Sequence, residues 1–268
     1  LIEELYTFVN GNEQFIGGLN SSQVVTYSFS GTVSLEKMSE IGTDVNPVGV
    51  TSYLVDGSLY FSVICKNSNR LNTFKWSSLG LSFIGYVGTD TAPGWVISYN
   101  IDGSKYVSIT NSVANTMGTY LFSQDKLIKV GSFQQTGTTP QQLVSYVNEG
   151  VFYISTANSG SNTLSTFYWA GVDKGFLDAG LPASSSKTKL TGAATYYDSS
   201  TDTVYLYAPS VRDATIETYK LAEPAFTLSG APVSTRGVNP SAMVGHKINN
   251  ETYLSLVNTG SNSLQTFK

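Results

Sequence analysis

The sequence has few charged residues, a single cysteine and a single histidine. Charged side chains make up 13% of its 268 residues, which is about half of their usual share in globular proteins. The net charge is −4, and the lysines and arginines are scattered rather than grouped along one element. This distribution argues against a nucleic-acid partner. We therefore expect uncharged polar residues to cover much of the surface, as in many extracellular proteins.

Long hydrophobic runs are also absent. No apolar run approaches the roughly 20 residues that a membrane-spanning helix needs, and the first ten residues carry acidic side chains where a signal peptide would be basic. The sequence thus predicts a chain without a membrane span. Its low charge, together with Asn-x-Ser/Thr sequons at Asn20 and Asn250, predicts a secreted protein with candidate glycosylation sites at these two asparagines.

The scarcity of cysteine and histidine restricts the chemistry that the chain can perform. Cys65 lies in an apolar run and has no partner for an internal disulfide, so we expect it to be a small buried hydrophobic residue. His246 alone excludes His-rich metal sites, and it is the only histidine that could serve a Ser-His-Asp triad. Phosphate-binding glycine loops, EF-hands and zinc-ligand spacings do not occur in the sequence. We expect neither a metal nor a cofactor.

What the sequence does contain is a dipeptide that recurs along its whole length. A threonine followed by an aromatic residue occurs at Thr26-Tyr27, Thr73-Phe74, Thr119-Tyr120, Thr166-Phe167, Thr218-Tyr219 and Thr266-Phe267. The spacings are 47, 46, 47, 52 and 48 residues, and an apolar residue stands two positions before each threonine. An even period in this range, built from short β-type segments, predicts a radial repeat architecture.

Each repeat is predicted to contain four antiparallel strands, which we call A to D. Residues typical of tight hairpin turns recur at one phase, at Asn10-Gly11-Asn12, Asp56-Gly57, Asp102-Gly103, Asn148-Glu149-Gly150, Asp198-Ser199-Ser200 and Asn249-Asn250. A proline marks the first position of four A strands, where no ladder hydrogen bond is lost, at Pro47, Pro93, Pro140 and Pro240. The repeat units are about 1–46, 47–92, 93–139, 140–187, 188–238 and 239–268. We predict that residues 1–268 form one all-β domain, a six-bladed β-propeller.

The last repeat is predicted to have an open edge. The first unit begins directly with its A strand, and the last unit reaches Lys268 after its C strand, so no segment remains for a fourth strand. Because propellers protect their sheet edges, three explanations stay open. The last blade is incomplete, the natural chain extends further, or a partner chain covers the edge, for example by self-association.

Part of the last repeat resembles the unit of lactonase-type and YVTN-type β-propellers. The residues that carry the resemblance are Asn239-Pro240-Ser241 and the run Tyr253–Leu264 (YLSLVNTGSNSL), and the stretch from Thr139 to Tyr168 is similar. The resemblance implies the propeller fold. Enzymes of the lactonase group use histidine, arginine and acidic residues at the mouth of the ring. Here His246 and the arginines Arg70, Arg212 and Arg236 are spread over three different units, and none of them matches a family motif.

The loops between strands B and C are the candidate binding surface. In an up-and-down blade these loops lie at the same end as the crossings that lead from one blade to the next. Candidate ligand-binding residues there are Asn67, Asn69, Arg70, Trp95, Asn158, Asn162, Arg212, Asn258 and Asn262. Planar amides and aromatic rings suit a sugar or a protein partner. The alternative is that these asparagines serve only the conformation of the loops.

Two hypotheses for the function follow. The first is a secreted, non-enzymatic binding or adhesion protein that recognises a glycan or an extracellular protein through these loops. The alternative is a lactonase-like hydrolase or isomerase with its site at the mouth of the central channel and His246 as its catalytic residue. The small number of ionisable side chains favours the binding protein.

Overall fold

The structure is a computed structural model that describes residues 4–10, 13–30, 34–222, 225–249 and 251–268. Over this part of the chain it contains strands β1 to β25, numbered in chain order, and no α-helix. Consequently, none of the described residues belongs to a helix that is long and apolar enough to cross a membrane.

Sheets 1 to 3 each contain four antiparallel strands in sequential order. Sheet 1 consists of β1 (Glu4–Asn10), β2 (Glu13–Asn20), β3 (Gln23–Ser30) and β4 (Ser34–Gly42). Sheet 2 consists of β5 (Pro47–Val55), β6 (Ser58–Cys65), β7 (Arg70–Ser77) and β8 (Gly80–Gly88). Sheet 3 consists of β9 (Pro93–Ile101), β10 (Ser104–Asn111), β11 (Thr116–Ser123) and β12 (Lys126–Gln135).

Sheets 4 and 5 have an outer edge that is divided into two short strands, whereas sheet 6 has only three described strands. Sheet 4 consists of β13 (Pro140–Asn148), β14 (Val151–Asn158), β15 (Thr163–Trp169), β16 (Phe176–Asp178) and β17 (Ala183–Ser184). Sheet 5 consists of β18 (Ala194–Asp198), β19 (Thr203–Ser210), β20 (Thr215–Ala222), β21 (Ala225–Leu228) and β22 (Val233–Ser234). Sheet 6 consists of β23 (Pro240–Ile248), β24 (Glu251–Asn258) and β25 (Ser263–Phe267).

This arrangement confirms the predicted fold class. The protein is all-β, and its six consecutive antiparallel sheets are the content of a six-bladed β-propeller. The four prolines predicted to open A strands are the first residues of β5, β9, β13 and β23. Among the described residues, sheet 6 has three strands and no fourth, as the sequence predicted for the last repeat.

The hairpin turns agree with the sequence prediction in most repeats. Positive φ angles occur at both residues of Asp56-Gly57 and Asp102-Gly103, as tight hairpins require. In sheet 5 the turn is longer than predicted, and the positive φ falls on Asp202 rather than within Asp198-Ser199-Ser200. The turn residues Gly11, Asn12 and Asn250 lie outside the described part of the chain.

The chain divides into two compact units. One comprises Leu1–Ala114 and Gly118–Val130, and the other comprises Asn115–Met117 and Gly131–Lys268. Sheets 1 and 2 belong to the first unit, and sheets 4, 5 and 6 belong to the second. The organisation of residues 1–268 as a single domain stays a prediction.

The aromatic ring of the repeated dipeptide lies in the core of sheets 2 to 5, and the apolar residue two positions before the threonine is buried in sheets 1 to 5. Four of its aromatic rings are completely inaccessible to solvent: Phe74, Tyr120, Phe167 and Tyr219. The apolar residues two positions before the threonines of the first five repeats are no more than 3% exposed: Val24, Leu71, Met117, Leu164 and Ile216. Burial of apolar surface on both faces explains why these positions recur in the sequence.

In sheets 3 and 4 the repeated threonine takes part in a buried chain of hydroxyl groups. In sheet 3 the hydroxyl of Tyr99 lies 2.6 Å from Ser108 Oγ, which in turn lies 2.8 Å from Thr119 Oγ1. Sheet 4 repeats this relay, with 3.1 Å between Tyr146 and Ser155 and 3.0 Å between Ser155 and Thr166. The threonines were found from the sequence, but their tyrosine and serine partners on strands A and B were not. Each relay satisfies polar groups that would otherwise be buried without a hydrogen bond.

Candidate functional site

The B–C loops are hydrogen-bonded to the crossings on both sides of their own sheet. In sheet 2 the backbone N–H of Lys66 donates to Asn46 O (2.9 Å), and the N–H of Thr89 donates to Asn69 O (2.9 Å). Sheet 4 has the same two bonds, from Ser159 to Thr139 and from Ser185 to Asn162. Loops and crossings therefore lie at the same end of these sheets. In each compact unit, we call the surface that its own loops and crossings form the loop surface of that unit.

Several of the predicted asparagines hold the loops in this conformation. The side-chain oxygens of Asn69 and Asn162 accept the N–H groups of Ala92 (2.8 Å) and Lys189 (2.7 Å) in the following crossings. Asn115 makes the same bond to Thr139 (2.7 Å). All three residues have positive φ angles, a conformation that asparagine tolerates better than most residues. These contacts support the alternative that the asparagines determine loop conformation.

Asn158 and Asn258 lie inside the protein rather than on the loop surface. Both side chains are buried, and the amide of Asn158 donates to Thr163 O (3.2 Å) and to Ser165 Oγ (3.0 Å). The Asn258 side chain packs directly against Gly237. At these two positions a contribution to ligand binding would have to act through the shape of the loop. The role of both residues in recognition stays a prediction.

The exposed part of the loop surface includes a cluster that we call the Arg70 cluster, formed by Asp44, Arg70 and Tyr86. Arg70 Nη1 lies 3.2 Å from Asp44 Oδ2, and the guanidinium carbon lies 4.0 Å from the centre of the Tyr86 ring. The half-exposed ion pair contributes at most about 1 kcal/mol, and the cation–π contact adds about 0.5–1 kcal/mol. The main effect of the cluster is to fix the guanidinium against a ring that is itself 56% exposed.

The neighbours of this cluster are accessible as well. Val45, next to Asp44 in the same crossing, is exposed. Asn67 is exposed and accepts a hydrogen bond from Asn46 Nδ2 (3.4 Å). The sequence placed Arg70 and Asn67 on this surface but missed Tyr86, since its strand D carries the weakest repeat signal. A half-exposed arginine on an exposed tyrosine ring is typical of a protein interaction surface.

The remaining predicted residues occupy different settings. Trp95 is half-buried in β9, Asn262 is exposed with a positive φ, and Arg212 is exposed in the B–C loop of sheet 5. Next to Arg212, the carboxylate of Asp213 accepts the N–H of Thr188 (2.7 Å) and the hydroxyl of Ser210 (2.9 Å). These hydrogen bonds lower the pKa of Asp213, which stays ionised at the loop surface.

His246, the candidate catalytic residue, is half-buried in β23. Its ring stacks on that of Tyr253, with 5.9 Å between the centres and 20° between the planes. The Tyr253 hydroxyl donates to Glu251 (2.9 Å), which is also paired with Lys268 (2.6 Å). Lys268 is the main reason that the pKa of Glu251 is lowered. The described contact of His246 is thus with an aromatic ring, and its catalytic role stays a prediction.

Asn20, one of the two candidate glycosylation sites, lies at the end of β2. Its side-chain nitrogen donates to Gln23 Oε1 (2.8 Å), and its oxygen accepts the N–H of Ser22 (3.1 Å). A glycan on this nitrogen would replace one hydrogen of the amide at the rim of the loop surface. Asn250 lies outside the described part of the chain. Glycosylation of both residues stays a prediction.

Glu217 in β20 is a buried carboxylate that the sequence analysis did not single out. Its Oε1 accepts hydrogen bonds from the N–H (3.1 Å) and hydroxyl (2.6 Å) of Ser186. Its Oε2 accepts the hydroxyls of Tyr219 (2.6 Å) and Ser185. Burial alone would raise the pKa of Glu217, but the hydrogen bonds from Ser185, Ser186 and Tyr219 together outweigh it and lower the pKa. The carboxylate fastens the segment after β17 to sheet 5.

Cys65 is buried in an apolar cluster with Leu19, Val24 and Phe61, as the sequence predicted. Burial, with an added contribution from the Asp44 carboxylate, raises the pKa of its thiol to about 11. We therefore expect the native protein to resist a disulfide-exchange reagent such as Ellman's reagent at pH 8, because the thiolate is both scarce and inaccessible. One equivalent should react once the protein is unfolded in guanidinium. Complete labelling of the native protein within minutes would contradict this assignment.

Comparison with known proteins shows the fold alone. No family model and no curated protein matches the sequence. A functionally unknown protein from Desulfotomaculum acetoxidans DSM 771 has a similar structure, with 17% sequence identity and a TM-score of 0.68. The match covers 92% of this chain and 76% of the chain of that protein. A protein provisionally named a 6-phosphogluconolactonase, from Bacteroides fragilis NCTC 9343, is 12% identical, with a TM-score of 0.65. The match covers 88% of this chain and 71% of that one.

A third similar structure is BBS1N in complex with ARL6DN, which is 12% identical, with a TM-score of 0.69 over 98% of this chain and 76% of that one. Together these likenesses support the β-propeller fold that the six sheets indicate. At such low identity they carry no activity over to this chain. The more specific resemblance to lactonase-type and YVTN-type repeats stays a prediction.

Proposed function

We propose that this protein is a non-enzymatic, extracellular binding protein that recognises its partner through the loop surface. The observation that carries the proposal is the Arg70 cluster, where a guanidinium is fixed over an exposed tyrosine ring and paired with Asp44, which the exposed Val45 follows in the chain. Arginine and tyrosine are enriched among the residues that dominate binding energy at protein interfaces. The proposed partner at this surface is therefore a protein.

The hydrogen bonds of the loops support this proposal. Each B–C loop of sheets 2 and 4 is bonded through its backbone to two crossings, and through Asn69 or Asn162 to one of them. A loop held in this way loses little conformational freedom when a partner binds, and this raises the affinity for a given set of contacts. The low charge of the chain supports extracellular localisation.

A lactonase-like hydrolase or isomerase is the second candidate function. The observation in its favour is the fold likeness to the protein named as a 6-phosphogluconolactonase, together with the resemblance of the last repeat to the lactonase-type unit. His246 would be its catalytic residue. In the binding hypothesis this histidine has no role in recognition, so the two candidates are separable by mutation.

The Arg70→Ala variant tests the proposed binding function. Partners are first sought by screening the wild-type protein against arrays of extracellular protein domains and of glycans. For a partner found in this way, we expect the substitution to weaken binding at least about tenfold, since hot-spot residues contribute more than about 1 kcal/mol. The free energy of unfolding should fall by less than about 2 kcal/mol, because the partly exposed ion pair contributes at most about 1 kcal/mol and the cation–π contact about 0.5–1 kcal/mol. Affinities can be measured by surface plasmon resonance and stability by urea unfolding.

Arg212→Ala is the matched control, since Arg212 is an exposed arginine in the B–C loop of sheet 5. It should change the affinity less than about threefold if the Arg70 cluster is the binding site. Equal losses of affinity in the two variants would contradict the assignment of the Arg70 cluster as the binding site. Turnover of small lactones by the wild-type protein, abolished by His246→Ala, would establish the hydrolase instead.

A further inference from the structure

A cavity lies between the turns of sheets 2 and 3, and we call it the turn cavity. Its volume is about 530 Å³, and its described lining residues all belong to the first compact unit. The A–B turns of sheets 2 and 3 contribute Asp56 and Gly103, and the C–D turn of sheet 3 contributes Gln124 and Asp125. Because consecutive strands are antiparallel, these turns lie at the opposite end of the sheets from the B–C loops. The turn cavity is thus separate from the loop surface of this unit.

One wall of the turn cavity is aromatic. Tyr60 and Phe122 line it and are at most 7% exposed, and their ring centres are 4.6 Å apart. Both rings also pack against Tyr53, at 6.0 Å and 5.4 Å between centres. Small-molecule sites in proteins combine apolar and aromatic walls of this kind with a few polar groups, in volumes of about 300–1,000 Å³. The turn cavity has the size and the apolar surface that such a site needs.

Two of the charged side chains at the turn cavity are paired with each other. Asp125 Oδ1 accepts a hydrogen bond from the hydroxyl of Tyr60 and lies 3.6 Å from Lys75 Nζ. The same ammonium group lies 5.2 Å from the centre of the Tyr60 ring. The protein itself therefore provides the partners of Asp125 and Lys75, and a ligand does not have to neutralise either group.

Lys105 and Asp56 also line the turn cavity, but their charges are not paired. Among the residues that the structure describes, the ammonium of half-buried Lys105 forms neither an ion pair nor a hydrogen bond. Its one described contact is with the Tyr53 ring, at 6.0 Å from the centre. Burial lowers the pKa of Lys105, since its charged form is only partly solvated. The exposed carboxylate of Asp56 likewise has no ion-pair partner within the described ranges.

We propose that the turn cavity binds a free amino acid with an apolar side chain. Its carboxylate would pair with Lys105, its ammonium group would pair with Asp56, and its side chain would contact Tyr60 and Phe122. A zwitterion satisfies both unpaired charges, whereas a simple anion or a simple cation would satisfy one and be repelled by the other. The proposal is independent of the loop surface.

The first test compares three related compounds by calorimetric titration of the full chain. L-Phenylalanine carries both charges, 3-phenylpropionate lacks the ammonium group, and 2-phenylethylamine lacks the carboxylate. We expect saturable binding of L-phenylalanine and at least about tenfold weaker binding of the other two, because each leaves one charged side chain of the cavity without its partner. Equal affinity for the three compounds would overturn the proposal. Equal affinity for L-phenylalanine and 3-phenylpropionate would overturn the role of Asp56.

The second test assigns each charge of the ligand to one side chain. Lys105→Met should weaken the binding of L-phenylalanine at least about tenfold and leave that of 2-phenylethylamine unchanged. Asp56→Asn should also weaken the binding of L-phenylalanine, but it should not weaken that of 3-phenylpropionate. Lys66→Met, at a half-buried lysine in the B–C loop of sheet 2, is the control for Lys105. Asp102→Asn is the control for Asp56, because Asp102 has the same turn position and φ angle of 49° in sheet 3 but does not line the turn cavity.

Two further results would overturn the proposal. One is the absence of saturable binding up to millimolar L-phenylalanine, and the other is an equal loss of affinity in Lys105→Met and Lys66→Met, which would place the ligand elsewhere. The free energy of unfolding of Lys105→Met should match that of the wild-type protein, because no described ion pair or hydrogen bond of this side chain is lost. Urea unfolding thus separates a loss of binding from a loss of folding. Arg70→Ala should bind L-phenylalanine normally, so failure of the loop-surface proposal can be distinguished from failure of this one.

Discussion

Replacing Glu217 with alanine is expected to destabilise the protein by about 2–4 kcal/mol. The substitution leaves the hydroxyls of Ser185, Ser186 and Tyr219, and one backbone N–H, without the carboxylate that accepts their hydrogen bonds. Glu217 and Tyr219 are fully buried, so water cannot easily replace the lost acceptor. The loss can be measured by urea unfolding at pH 7.

Two further variants serve as controls for this prediction. Glu36→Ala removes an exposed glutamate from β4, and we expect it to change the free energy of unfolding by no more than about 0.5 kcal/mol. Glu217→Gln keeps the shape of the side chain but removes its charge. Its free energy of unfolding should therefore lie between that of the wild-type protein and that of Glu217→Ala. If Glu217→Ala were as stable as Glu36→Ala, the four hydrogen bonds would not be stabilising.

The lowered pKa of Glu217 gives the same prediction a pH dependence. The group titrates below its ordinary value of 4.5 in the folded protein, so the folded state favours the ionised form. The stabilisation is then complete above pH 4.5 and is lost as the pH falls through the folded-state pKa. The stability difference between the wild-type protein and Glu217→Ala should be constant from pH 6 to 8 and shrink below pH 4.5. A difference that grows on acidification would contradict the assignment.

The features of the fold that could be predicted from sequence are those encoded by nearby residues. Turn residues such as Asp56-Gly57 and strand-opening prolines such as Pro47 act through their own φ angles, so each repeat shows them independently. The relay of Tyr99 and Ser108 depends instead on which residues face each other across strands. That register is set by the length of each hairpin, and tyrosine and serine are too common for the pairing to stand out.

In the candidate site too, the sequence predicted what nearby residues determine and missed what depends on distant partners. The sequence placed Arg70 on the loop surface because its loop position is apparent from the repeat. It also treated Asn158 as accessible, whereas this side chain is buried, because composition does not tell which side of a loop a residue faces. Tyr86 and Glu217 went unnoticed since their roles depend on partners far away in the sequence, such as Arg70 and Ser186.

The second large effect on stability is expected from the buried hydroxyl relay of sheet 3. Replacing Ser108 with alanine removes the hydroxyl that both Tyr99 and Thr119 contact in the core of sheet 3. Burial raises the pKa of Tyr99 far above its usual value, so its hydroxyl stays protonated and needs a hydrogen-bond partner over the whole accessible pH range. We expect the loss of two buried hydrogen bonds to cost about 2–3 kcal/mol, measured by urea unfolding.

Sheet 6 provides the matched control, since Ser255 and Thr266 form the equivalent pair at 3.1 Å. There Ser255 is only half-buried and Thr266 is exposed, so water can replace the lost hydroxyl, and Ser255→Ala should cost less than about 1 kcal/mol. The two variants remove the same atom from the same repeat position, but Ser108 contacts two buried hydroxyls whereas Ser255 contacts one exposed threonine. Equal losses in the free energy of unfolding would mean that the buried hydroxyl contacts of Ser108 stabilise the protein no more than the exposed contact of Ser255, whereas the expected difference would show that the relay stabilises the sheets in which it is buried.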